Sequence, residues 1–191
     1  MCAYGATELF FATGTTGVKH GYTNVQTRRS SDGSTEHLNV QTHGVNSKEY
    51  RDILLGTGPY DGGLLKQGAA LFAEAGVANW AFMQDNARIH YAGSNTANGN
   101  ETRAAIDSVA PEFVDDWPAK ASDLNVIENV WRNTDWDLWA NHEWSDFAGY
   151  KVALRSAWKR QTTPEKMKRL CGSFRKRLLA CIAAQGGETK Y

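Results

Sequence analysis

The 191-residue sequence is short of several things, and each shortage narrows what the protein is. Its three cysteines, Cys2, Cys171 and Cys181, are odd in number and lack metal-ligand spacing. That excludes a disulfide framework or a zinc knuckle and reads as reduced intracellular thiols. Four prolines and no repeating glycine pattern exclude a collagen-like or proline-rich chain. No apolar run approaches the ~18–20 residues that span a bilayer, so no membrane role is expected. The opening MCAYGATELF lacks the basic start and small-residue cleavage site of a signal peptide, so secretion is not expected either. Net charge is missing too, with 21 basic and 21 acidic side chains. What is present, 41% hydrophobic and 22% charged residues, suits a soluble globular protein of one domain, residues 1–191.

The zero net charge is a cancellation. Residues 1–150 carry 10 Lys/Arg and 19 Asp/Glu, a net of −9, whereas residues 151–191 carry 11 Lys/Arg and two Glu, a net of +9. Halves of opposite sign suggest a basic surface for a polyanion beside an acidic body. A solvated helix face, or a basic tail folded onto its own acidic body, explains the same pattern.

Along the chain, short apolar runs at 2–12, 16–25 and 37–41 suggest strands, with RRSSDGS (28–34) as an exposed loop. A helix is predicted from Asn46, where Asn46 and Glu49 fit a capping box, and ends at Gly56, Gly58 and Pro59. A second helix covers about 63–75. VANWAFMQ (77–84) is nearly continuous in apolar residues, as in a strand buried on both faces in mid-sheet. A weak helical patch lies near 101–109, and FVDDWPA (113–119) reads as another short strand. Helices follow at about 126–139, 146–160 and 164–184, the last with Thr163 as N-cap and Pro164 in its first position. Its stripe is Met167, Leu170, Phe174, Leu178, Cys181 and Ile182. Strands with helices before and after the buried one indicate an α/β domain, whose part from 145 to 191 is basic and helical.

Two acids stand out by context. Asp85 follows the strand 77–84, at the carboxyl end where α/β sheets bind ligands, yet its carboxylate equally suits a cap on the next turn. Glu128 lies in the first turn of a helix, where with Asn125 as N-cap it completes a capping box. Six of the seven tryptophans fall within 117–158. Core packing and stacking on unpaired bases both accommodate them, with core packing the favoured reading.

In order and with their flanks, these residues resemble something specific. MQDNARIH (83–90) and DWPAKASDLNVIENVW (116–131) are similar to the catalytic core of mariner-superfamily transposases. These carry a DDE/D triad on an RNase H-like mixed sheet flanked by helices. YGA (4–6), NSKEYRDIL (46–54) and the ending SFRKRLLACIAAQGGETKY (173–191) extend the likeness over nearly the whole chain. The resemblance makes Asp85 the second acid and Glu128 the third, both metal ligands and catalytic, with Asn86 and His90 as local support. It implies two Mg²⁺ (or Mn²⁺) ions, DNA as substrate, and cleavage and strand transfer during DNA transposition in the nucleus. It also places the basic helix 164–184 near DNA phosphates, and implies a homo-oligomer or pairing with a full-length transposase.

Departures from the family pattern set further expectations. Asp85 and Glu128 are separated by 42 residues, more than in relatives, with the surplus expected as a loop at GSNTANGNET (93–102). Ser122 and Val126 stand where the family signature has proline, which should loosen the segment presenting Glu128. The family's first Asp sits on the strand before the one that MCAYGATELF resembles. On this reading the chain lacks that central strand and that acid, and it is an N-terminally truncated catalytic domain. A catalytically inactive remnant, acting at most as a non-specific DNA-binding or transposase-pairing protein, is the alternative.

Overall fold

The computed structural model describes residues 1–12, 19–29, 32, 34–43, 45–90 and 97–191. Its elements are β1 (Lys19–Arg29), β2 (Thr35–His43), α1 (Ser47–Leu55), α2 (Leu64–Glu74), β3 (Ala81–Phe82), α3 (Ala97–Asp107), β4 (Glu112–Phe113), α4 (Ile127–Asn141), α5 (Phe147–Gln161), α6 (Pro164–Gly172) and α7 (Phe174–Ala183). The fold is mixed α/β and mostly helical. Its described strands form two two-stranded sheets, β1 with β2 and β3 parallel to β4. No helix among the described residues is long and apolar enough to cross a membrane. The chain divides into two compact units: Met1–Leu9, Gly21–Thr42 and Ser122–Tyr191 form the terminal unit, and Phe10–His20 and His43–Ala121 the central unit.

The central unit follows its local signals closely. Asn46 caps α1, its side chain accepting from the Glu49 backbone N–H, and Gly56 closes the helix in the left-handed region at φ 70°. A side chain at Gly56 is also barred by space, since a Cβ there would lie 2.4 Å from the Gly63 nitrogen. The helices α1 and α2 are thereby joined through two closely approaching glycines. Leu54, Leu65, Ile106 and Ala110 form the buried core, with Tyr50, Trp80, Phe82 and Phe113 packed around it. Helix α3 occupies much of the expected insertion: residues 97–102 are its start rather than a loop. The remainder of that stretch, 93–96, lies outside the described residues, as do 30, 31 and 33 of the expected loop 28–34 and 13–18 around the start of the run 16–25.

The expected strands differ in extent. Only Ala81–Phe82 of the run 77–84 pairs as a strand, with Glu112–Phe113, and Ala81 is exposed. The run is therefore one-sided. Trp80 and Phe82 turn into the core, Trp80 stacking on Phe72 at 4.9 Å, while small Asn79 and Ala81 face outward. Apolar continuity hid this alternation because alanine counts as apolar without needing burial. Likewise 113–119 yields only the first residue of the expected strand, within β4. The run 2–12 contains a single bridge, Cys2 to Gly5, in place of a strand. Its Ala6 and Leu9, together with Met1 before it, pack instead against the helices of the terminal unit.

In that unit, α4 and α5 bury Leu138, Trp144, Ala153 and Ala157, and a second cluster joins Val130, Trp158 and Met167. Thr163 caps α6 through a hydrogen bond from the Lys166 N–H, with Pro164 in the first turn as expected. The expected helix 164–184 is broken at Ser173, whose hydroxyl turns back to the Leu170 carbonyl at 2.6 Å. The break divides its apolar stripe. Met167 is fully buried, while Phe174, Leu178 and Ile182 are exposed, Ile182 by 71%.

Candidate functional site around Asp85

Residues 83–87 lead from the end of β3 at Phe82 to the 3-10 turn Arg88–His90. Asp85 organises that turn. Its Oδ1 accepts the Ala87 backbone N–H at 3.0 Å and lies 2.6 Å from His90 Nδ1. The His90 ring packs on Tyr50 of α1, with centroids 4.3 Å apart. Tyr50 donates its hydroxyl to Gln84 Oε1 at 2.6 Å, and Gln84 donates its amide to the His90 carbonyl. Asn86 donates to the Trp117 carbonyl at 2.8 Å, tying the turn to the segment after β4. Helix α1 and residues 84–90 thus form one polar lattice on the rim of the central unit's core.

Electrostatics distinguish its members. Partial burial raises the Asp85 carboxyl, but the Ala87 N–H and the His90 ring prevail and hold it below the usual carboxylate range. Burial, then the charge of Asp85, pushes the Tyr50 phenol well up, so it stays a neutral donor. Asp85 is 57% exposed at its side chain, and its Oδ2 accepts no hydrogen bond among the described residues. One oxygen is therefore engaged within the turn, and the other remains as a charged acceptor. The capping reading of Asp85 is met by Oδ1, which accepts the Ala87 N–H. Asn86 and His90 both make hydrogen bonds in this turn, Asn86 to Trp117 and His90 to Asp85. Tyr50 and Gln84 were not singled out in the sequence, because Tyr50 reads there as one more apolar position of α1.

Glu128 belongs to the terminal unit, whereas Asp85 belongs to the central one. Glu128 is exposed in the first turn of α4, with no side-chain hydrogen bond or ion pair among the described residues. The expected N-cap shifts by one residue. Val126 is the N-cap, and Asn125 Oδ1 accepts the Ile127 N–H at 3.3 Å, so Glu128 stands at the second helical position and closes no capping box. Val126 has φ −63°, the value proline imposes, so the backbone keeps a proline geometry without the ring.

Hard carboxylate oxygens are the donors that Mg²⁺ takes. Among the described residues, however, no three His, Cys, Asp or Glu side chains converge to hold a metal ion. Asp85 contributes one free oxygen, and the groups about it are an imidazole, a phenol and amides. The described residues do not fit a two-metal centre by themselves.

The basic C-terminal region is partly committed to structure. Arg177 is 3% exposed and donates to the Asp123 carbonyl at 2.8 Å and Asn129 Oδ1 at 2.6 Å. Arg160 is tied to buried Asp137. Arg155, Lys159, Lys168, Arg169, Arg175 and Lys176 remain exposed. The tryptophans divide as well: Trp144 and Trp158 are core residues, whereas Trp131 and Trp136 are 42% and 69% exposed.

No protein-family model matches the chain. It is 32% identical over 114 residues to the transposase of the transposable element Tc3 of Caenorhabditis elegans, which covers 59% of this chain and 32% of that relative. The match spans about a third of the relative's length. This supports a relationship to transposases of the Tc1/mariner type.

Proposed function

We propose that the chain is the catalytic-domain segment of a mariner-superfamily DDE transposase, built on an RNase H-like fold and acting on DNA in the nucleus. The observation that carries this reading is the likeness to Tc3 transposase, together with the placement of Asp85 just beyond β3 with one carboxylate oxygen uncommitted. In this reading the partner is DNA, and the chain works as an oligomer or paired with a full-length transposase. Asp85 and Glu128 supply two of the carboxylates for Mg²⁺ or Mn²⁺.

The chain's own residues have definable tasks. His90 and the Ala87 N–H fix one oxygen of Asp85 and keep the carboxylate ionised, leaving the other oxygen directed outward. Tyr50 and Gln84 hold the His90 segment in place. Because the donor set is incomplete among the described residues, the chain alone should bind DNA without cutting it. The test is incubation of the purified chain with supercoiled plasmid in Mg²⁺ or Mn²⁺, beside Asp85→Asn. The expected result is salt-sensitive binding and no nicking. Nicking that Asp85→Asn abolishes would show a complete active site, and absence of DNA binding would sink the reading altogether.

The second reading, an inactive remnant, is favoured by the same lack of a three-carboxylate cluster. Adding a transposase catalytic region that supplies the first acid separates the two. Restored cleavage that depends on Asp85 and Glu128 supports the catalytic segment, and no restoration supports the remnant.

A further inference from the structure

Helix α5 turns Arg155, Trp158 and Lys159, with its C-cap Thr162, toward the segment Ala6–Leu9, and between them lies an open cleft of about 400 Å³. That volume falls in the range of about 300–1,000 Å³ found for small-molecule sites. Its floor is apolar, made by Ala6, Leu9 and the largely buried Trp158, and its mouth carries the cations Arg155 and Lys159. The floor is rigid. Trp158 donates its indole N–H to the Thr7 carbonyl at 3.0 Å and packs against Trp131 at 5.0 Å. The Thr162 hydroxyl is fixed on the Trp158 carbonyl at 2.8 Å. Lys159 is exposed and makes no ion pair among the described residues. Glu8 also lines the cleft.

We propose that this cleft binds one unpaired nucleotide of a DNA strand, its base in the apolar floor between Trp158 and Leu9 and its phosphate at Lys159. An apolar slot with a cationic mouth matches a flat heterocycle that carries an anion. Duplex DNA presents its bases stacked inside and cannot fill the slot without extrusion. The inference rests on DNA being the partner, and it goes further by assigning the contact to the α5 cleft rather than to the basic surface in general. A free nucleotide has the same chemistry as a nucleotide within a strand, so both are tested.

The experiment is fluorescence anisotropy of the full chain with a labelled 12-nucleotide single strand and with the matching duplex, over a series of salt concentrations. The variants are Lys159→Glu and, as an equal charge change on α6 outside the cleft, Lys168→Glu. The expected result is tighter binding of the single strand and about a tenfold loss with Lys159→Glu. The salt slope should fall by about 0.7, one phosphate on a single strand. Lys168→Glu should do less, and millimolar deoxyadenosine monophosphate should displace the strand from the wild-type chain. Equal losses for the two variants, or equal affinity for strand and duplex, would overturn the cleft while leaving DNA binding intact. Failure of the nucleotide to compete would overturn the slot, and no binding of either DNA would overturn the DNA reading with it.

Discussion

Two aspartates, one in each compact unit, show how differently the same side chain is used. Asp137 on α4 is 4% exposed at its side chain and is surrounded by donors: Arg160, Gln161 and Asn141 all reach its two oxygens. The hydrogen bonds of Arg160, against the pull of burial, hold its carboxyl far below the ordinary range. Asp85 is 57% exposed, engages one oxygen with a backbone N–H and an imidazole, and leaves the other unused. Asp137 is saturated and ties α4 to α5. Asp85 shapes a turn and retains capacity for a further partner. The more strongly shifted of the two carboxyls is thus the one whose partners are all internal.

The contrast can be broken most directly at Arg160. Arg160→Ala leaves Asp137 buried without its main partner and should cost about 3–5 kcal/mol in a denaturant melt. A loss below about 1 kcal/mol would mean that Gln161 and Asn141 suffice for Asp137 and that the pair is ornamental. Acid should expose the same difference. The folded Asp137 carboxyl titrates below its unfolded value, so its stabilisation is complete above the ordinary carboxylate range and is lost as pH falls toward the folded value. His142, lowered by burial and by Arg160, binds fewer protons folded than unfolded, so stability should begin to decline already as pH drops through 6.5, the ordinary histidine value. A thermal melt series from pH 8 to pH 3 would show the first decline and the onset of the second, and Arg160→Ala should flatten the lower one.

Asp85→Asn should be milder, within about 1 kcal/mol, because an amide oxygen still accepts the Ala87 N–H and the site is exposed. A large destabilisation would make Asp85 a second structural aspartate and remove the case for a free ligand oxygen. The smallest expected change is Val126→Pro, which should raise stability by about 0.4–1 kcal/mol, since the backbone already sits at φ −63°. Destabilisation on that substitution would show that the start of α4 depends on the Val126 N–H.

Much of this was legible in the residues. The Asn46 cap, the Gly56 stop and the Thr163–Pro164 start are set by neighbours in the chain, and all three stand where the pattern put them. The position of Asp85 at the end of a strand was readable too, because a strand-to-turn change is local. The Tyr50–Gln84–His90 lattice was not, since Tyr50 and Gln84 are 34 residues apart and only packing of α1 on the turn brings them together. The network of Asp137, Arg160 and His142 was hidden for the same reason, as α4 and α5 meet only once folded.

The charge that cancels to zero is likewise a property of sequence, with −9 before residue 151 and +9 from there on. Which of those charges face solvent was decided by folding. Arg177 looked like any other cation of a basic helix, yet it is buried on Asp123 and Asn129, whereas Lys159 stays exposed at the mouth of a cleft. Sequence fixes caps, turns and the sign of charge because these act over a few bonds. Burial and the free oxygen of a carboxylate depend on which distant segments arrive beside it, and only the tertiary structure brings them there.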